Sequence, residues 1–135
     1  MNTAASNSGA NDTVRLVVPA ALEYVRLVRL TSSGVASRLG FDIEEIEDLR
    51  VAVDELVSVV IEAADQSGAL ELRFEVQDGF LRIEGSAPIG PDASGQTLVD
   101  DLSSQILAAV VDKWDMDTSN GAVRFACERR IPEID

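Results

Sequence analysis

Histidine is absent from this chain of 135 residues, and cysteine occurs once, at Cys127. Without imidazole, the usual zinc ligand sets and histidine-dependent triads are excluded, and one thiol cannot close an internal disulfide. Aromatic residues are scarce, at 4%, and basic residues are outnumbered: 11 lysines and arginines face 24 acids, a formal charge of −13. That excess repels phosphate backbones and anionic lipid, so neither nucleic acid nor membrane is an expected partner, whereas a basic protein surface suits it. No apolar run is long enough to cross a bilayer, and no basic segment followed by an apolar one opens the chain. A cytoplasmic location is expected.

What the chain does have is aliphatic side chains. Hydrophobic residues make up 46%, enough for one domain with one core. Residues 1–12, rich in Asn, Ser, Ala and Gly without periodicity, read as a disordered tail, which leaves 13–135 as a single domain. Val14, Leu16 and Val18 suggest a strand that Pro19 ends. Leu22, Val25, Leu27, Val28 and Leu30 then recur at helical spacing as far as Gly34, and Val35 and Leu39 carry a long or slightly broken helix to Gly40. Asp42 with Glu45 forms an Asp variant of the capping box and opens a second helix. Leu70, Leu72, Phe74 and Val76 alternate with polar residues, and Asp78-Gly79 turns that strand into its return through Leu81 and Ile83. An irregular loop is expected over 85–95, a helix from Gln96 to about Asp112, and a last hairpin with arms 113–117 and 122–131 joined across Asn120-Gly121. This order predicts an α+β fold, a two-layer sandwich whose mostly antiparallel sheet is covered on one face by about three helices.

The second helix places the acids Asp54 and Glu55 inside an otherwise apolar segment. Leu49, Val53, Leu56 and Val60 form a stripe suited to a core, while Glu55, Ser58 and Val59 share the next edge, where a core helix can border a cleft. Asp54 reads as structural, since no second carboxylate or metal-ligand spacing accompanies it. Trp114 and Phe125 read as hairpin packing, and Cys127, on the same strand face as Phe125, reads as a buried, unreactive thiol.

Three strings, Leu22-Glu-Tyr-Val-Arg26, Leu49-Arg-Val-Ala-Val-Asp-Glu55 and Ile106-Leu-Ala-Ala-Val-Val-Asp-Lys-Trp114, make nearly all of residues 13–132 resemble the bacterial anti-sigma factor and serine-protein kinase family, built on the GHKL (Bergerat, histidine-kinase-like) ATP-binding fold. In that family the helical Glu is a general base, and an Asn four residues later holds the magnesium that bridges the ATP phosphates. Glu55 and Ser58 match, but Val59 stands where the Asn belongs and offers a metal no lone pair. The family's Asp-x-Gly-x-Gly, whose Asp recognises adenine, corresponds to Ser86-Ala-Pro-Ile-Gly90, so Gly90 is kept, Ser86 replaces the acid and Pro88 removes an N–H donor. A later Gly-Leu pair falls at Ser103-Ser104, and Arg26 matches by position an arginine that contacts protein partners.

The resemblance therefore implies a vestigial nucleotide site at Glu55, Ser58, Val59, Ser86 and Gly90, with no resident metal or cofactor in place of the family's ATP and magnesium. It implies an anti-sigma factor that sequesters an alternative RNA polymerase sigma factor through Arg26, is released by a STAS-type anti-anti-sigma antagonist, has lost kinase activity, and forms a homodimer as the family often does. The alternatives are an active ATP-dependent serine-protein kinase acting on an anti-anti-sigma factor, and a GHKL-like scaffold for another signalling partner.

Overall fold

Strands β1 (Val14–Pro19), β2 (Ala69–Gln77), β3 (Phe80–Pro88), β4 (Lys113–Ser119) and β5 (Ala122–Arg130) join in one antiparallel sheet of order β1-β2-β3-β5-β4. The structure, a computed structural model, describes residues 13–91, 93 and 98–133, so the tail expected over 1–12 lies outside the described residues. Both tight hairpins turn on left-handed pairs: Asp78 and Gly79 have φ of 53° and 83°, and Asn120 and Gly121 have 53° and 76°. That is the backbone a two-residue connection needs to match the strand twist.

Helices α1 (Val25–Arg38), α2 (Ile43–Ala63) and α3 (Asp101–Val110) complete the two layers expected from the sequence. The middle helix, α2, rests on β3 and β5 and is flanked by α1 and α3. Its start is fixed by the expected capping box, in which the Asp42 carboxylate accepts the Glu45 N–H at 2.8 Å and the Glu45 carboxylate accepts the Asp42 N–H at 2.9 Å. Leu49, Val53, Leu56 and Val60 are buried, together with Ala52 and Val57 between them. They meet Leu72, Phe74, Leu81 and Ile83 from the sheet. Each such side chain contributes roughly 1.5–3 kcal/mol by leaving water, and this stripe decides where α2 sits.

Three boundaries differ from the sequence expectation, each for a local reason. The first helix opens as a 3-10 turn, Leu22–Tyr24, because neither Ala21 nor Tyr24 supplies a side-chain cap, and the α-helix then runs unbroken through Gly34. Gly40, at φ 90°, ends it, and the Phe41 N–H bonds back to the Ala36 carbonyl. Strand β3 continues through Pro88, where a loop was expected. Pairing with β2 stops at Ser86, and the missing N–H of Pro88 faces the side β2 has left, where the Pro88 carbonyl instead accepts the Asp65 N–H at 2.8 Å. Helix α3 is shorter than expected, because Asp100 caps it by accepting the Ser103 N–H and Val111 is already extended.

Gly85 faces Phe125 directly across β3 and β5. A Cβ at Gly85 would sit 2.8 Å from the Phe125 Cζ, so the ring covers bare backbone and no side chain fits beneath it. Gly85→Ala is expected to destabilise the fold by about 1–3 kcal/mol, read from the urea midpoint, and Phe125→Leu in the same chain is expected to recover part of that loss.

Candidate functional site

The two neighbouring acids of α2 leave the helix in different directions and find different helices. Asp54 accepts from Arg29 Nε of α1 at 2.7 Å, an ion pair that is part-buried on both sides. Glu55 Oε1 accepts from the Ser103 hydroxyl of α3 at 2.6 Å. Ser103 is held from a second direction as well, since its N–H donates to the Asp100 carboxylate at 2.8 Å. The structural role expected for Asp54 is thus an interhelical ion pair with Arg29, a partner its sequence neighbours did not reveal.

Ser58 and Val59 are half-buried, one turn further along α2 on the flank that carries Glu55. Gly90 lies further still, at the helix end. Its N–H donates to the Ala63 carbonyl at 2.8 Å, and a Cβ there would come within 3.0 Å of the Ala64 carbonyl oxygen. Close backbone approach explains this glycine without a ligand. Eight residues of helix, about 12 Å, separate Ala63 from Glu55.

Ser86 is not with them. Along β3 the core side chains are Leu81, Ile83 and Ala87, so the alternate positions Arg82, Glu84 and Ser86 face the open side of the sheet. Ser86 there lines a groove of about 440 Å³ with Glu71, Arg73, Arg82, Glu84, Asp115, Asp117 and Arg124. The groove is laced with ion pairs: Arg15 to Glu71 at 2.6 Å, and Arg82 to Glu84 at 2.8 Å and to Glu128 at 2.7 Å. The hydrogen bond from Arg15 holds the Glu71 carboxyl below the usual carboxylate range.

Arg26 lies on the outer face of α1, exposed and in no ion pair among the described residues. Around it Leu22, Leu27 and Leu30 are 61%, 47% and 63% exposed. Sequence reading missed Arg129, whose Nη1 donates to the Val110 carbonyl at 2.6 Å and to the Asp48 carboxylate at 2.9 Å, clamping the C-terminal end of α3 to the first half of α2. It missed Ser103 as the partner of Glu55 too. The available signal was Asp100 three residues before Ser103, which marks a helix start.

A five-stranded antiparallel sheet covered on one face by three helices matches the architecture of histidine-kinase-like ATPases. The family model described as "Histidine kinase-like ATPase domain" matches residues 18–112, and the chain belongs to that family. The chain is 43% identical over 75 residues to the serine-protein kinase RsbW of Bacillus subtilis (strain 168), an alignment covering 53% of this chain and 47% of that protein. It is 40% identical over 73 residues to serine-protein kinase RsbW of Halalkalibacterium halodurans, covering 53% and 45%. The chain spans about half the length of the curated relatives it matches. Among solved structures, the RsbU and RsbW domains of Rv1364c from Mycobacterium tuberculosis superpose at a TM-score of 0.69 with 18% identity, covering 88% of this chain and 32% of that one. The catalytic domain of histidine kinase ThkA gives 0.50 with 14% identity, covering 87% and 96%. These two likenesses establish the fold alone.

Trp114 and Phe125 pack on the core, as the strand alternation implied, and Cys127 beside them is 1% exposed. Burial pushes its thiol up to about 12. Below the ordinary thiol value of 9.0 the buried neutral thiol costs the fold nothing, and stability is lost as pH rises from there toward about 12. An aromatic disulfide reagent at pH 8 is expected to leave Cys127 unmodified in the native protein and to titrate one thiol once urea unfolds it; rapid native labelling would contradict its burial.

Proposed function

We propose that this chain is an anti-sigma-type binding protein of the cytoplasm, which holds an alternative sigma factor away from RNA polymerase and yields it to a competing anti-anti-sigma protein. The observation that carries this reading is the outer face of α1. Three leucines exposed around an arginine with no acid of its own make an amphipathic docking strip, and Arg with large apolar neighbours is the composition that dominates protein interfaces. The charge of −13 suits a sigma factor, whose polymerase- and DNA-binding surfaces are basic.

Magnesium ATP does not fit the residues present. Magnesium requires an oxygen-rich shell, Val59 offers none, and the described residues hold no cluster of three acids, cysteines or histidines in its place. Ser86 faces the far side of the sheet, and Pro88 has no N–H to give a phosphate. The retained Glu55 already accepts a hydrogen bond from Ser103. We therefore read the nucleotide site as vestigial and assign no phosphoryl transfer to it. A second reading, an active serine-protein kinase, draws support from the name of the relatives and from the retained Glu55, at the position where the resemblance sets a general base.

Affinity capture with the intact chain under mild salt is expected to recover a sigma factor, and Arg26→Ala to bind it roughly tenfold more weakly; capture of none would sink the proposal. Calorimetric titration with ATP to millimolar concentration, with and without magnesium, is expected to give no heat of binding. Binding that requires magnesium would replace the first reading with the kinase.

A further inference from the structure

We propose that the Glu55–Ser103 hydrogen bond is a latch built into the chain, seating the first turn of α3 on α2. The inference rests on the geometry of the two helices and stands whether or not the partner is a sigma factor.

The two halves of α3 are held by different means. Its C-terminal half buries Leu107 completely and is gripped by Arg129 through the Val110 carbonyl. Its N-terminal half buries nothing fully: Asp101, Leu102 and Gln105 are exposed, Leu102 at 67%, and Ser103 and Ser104 are half-buried. Leu98 and Val99 just before it pack on the core only in part, so apolar packing alone does not fix that turn. What reaches from it to α2 is the Ser103 hydroxyl, 2.6 Å from the Glu55 carboxylate. A hydrogen bond to an ionised acceptor is short and about twice as strong as a neutral one, and here it is partly shielded from water.

Two features make this a device rather than incidental contact. Ser103 is pre-set by its own backbone, because its N–H is fixed to the capping Asp100 and its side chain then meets Glu55 without searching. Glu55 has no other hydrogen-bond or ion-pair partner among the described residues, so the bond is also the one tie this carboxylate makes. Release of the first turn of α3 from α2 therefore turns on one hydroxyl.

Hydrogen exchange of the intact chain, read at the amides of Ser104 to Leu107, tests the latch. Ser103→Ala is expected to speed their exchange about tenfold, which corresponds to about 1.4 kcal/mol. Glu55→Gln keeps an acceptor oxygen but no charge, and is expected to speed it about threefold. The double variant is expected to exchange no faster than Ser103→Ala alone, since two groups in one bond do not add. Unchanged exchange in Ser103→Ala, a double variant equal to the sum of the singles, or equal acceleration of the core amides of α2 would each overturn the proposal.

Discussion

Burial of one stripe on α2 is the constraint on which the helical layer depends. Leu49, Val53, Leu56 and Val60 are at most 1% exposed, closed in by the sheet beneath and by α1 and α3 beside them. Polar side chains on such a helix have only its flanks and its outer face. Consecutive residues project about 100° apart, so Asp54 and Glu55 cannot share a partner, and each becomes a tie to a different neighbour. The magnitudes rank these effects. Each part-exposed tie contributes on the order of 1 kcal/mol, less than a single buried leucine. The core therefore places α2, and the acids orient what lies beside it.

Charge is distributed with the same economy. The helix-facing side of the sheet is apolar, and the open side carries paired acids and arginines: Arg15 with Glu71, Arg73 with Glu75, and Arg82 between Glu84 and Glu128. On the helices Arg29 and Arg50 are matched to Asp54 and Glu47, and Arg129 of β5 is matched to Asp48 of α2. Exposed pairs add little stability, yet they commit most of a small complement of cations, 11 against 24 acids. Among the described residues Arg26, Arg38, Lys113, Arg124 and Arg130 are in no ion pair, and Arg26 is the one set among the exposed Leu22, Leu27 and Leu30.

Periodicity made the fold legible, and chemistry at single positions made part of the site so. The capping box at Asp42 and Glu45, the alternation through Leu72 and Phe74, and the two turns at Asp78-Gly79 and Asn120-Gly121 are local signals, and all appear where the residues place them. Pro88 misled because a proline reads as a strand breaker unless one knows that its neighbour on that side has already left the ladder. The pairs Arg29–Asp54, Ser103–Glu55 and Arg129–Asp48 were not legible, since each joins residues 25 or more positions apart and is set by how separate elements pack, not by any spacing within one. Ser86 shows the same limit: strand parity, which a one-residue change of register inverts, puts it on the open face of the sheet.

The division between the two flanks of α2 bears on how binding could outlast chemistry. Phosphoryl transfer is almost wholly positioning and charge neutralisation, so on the reading proposed above a carboxylate without its metal ligand has no phosphoryl chemistry to perform. The exposed face of α1, proposed above as a docking strip, has no such dependence. Its leucines and Arg26 project from a helix seated by its own buried Val25, Val28 and Ala36 and tied to α2 through Arg29. Ser103 and Glu55 meet on the other flank. A substitution such as valine at position 59 can therefore empty one flank while the surface on the other keeps its shape, provided something else holds α3 in place. In this chain buried Leu107 and Arg129 hold its C-terminal half, and the Ser103 hydroxyl ties its first turn.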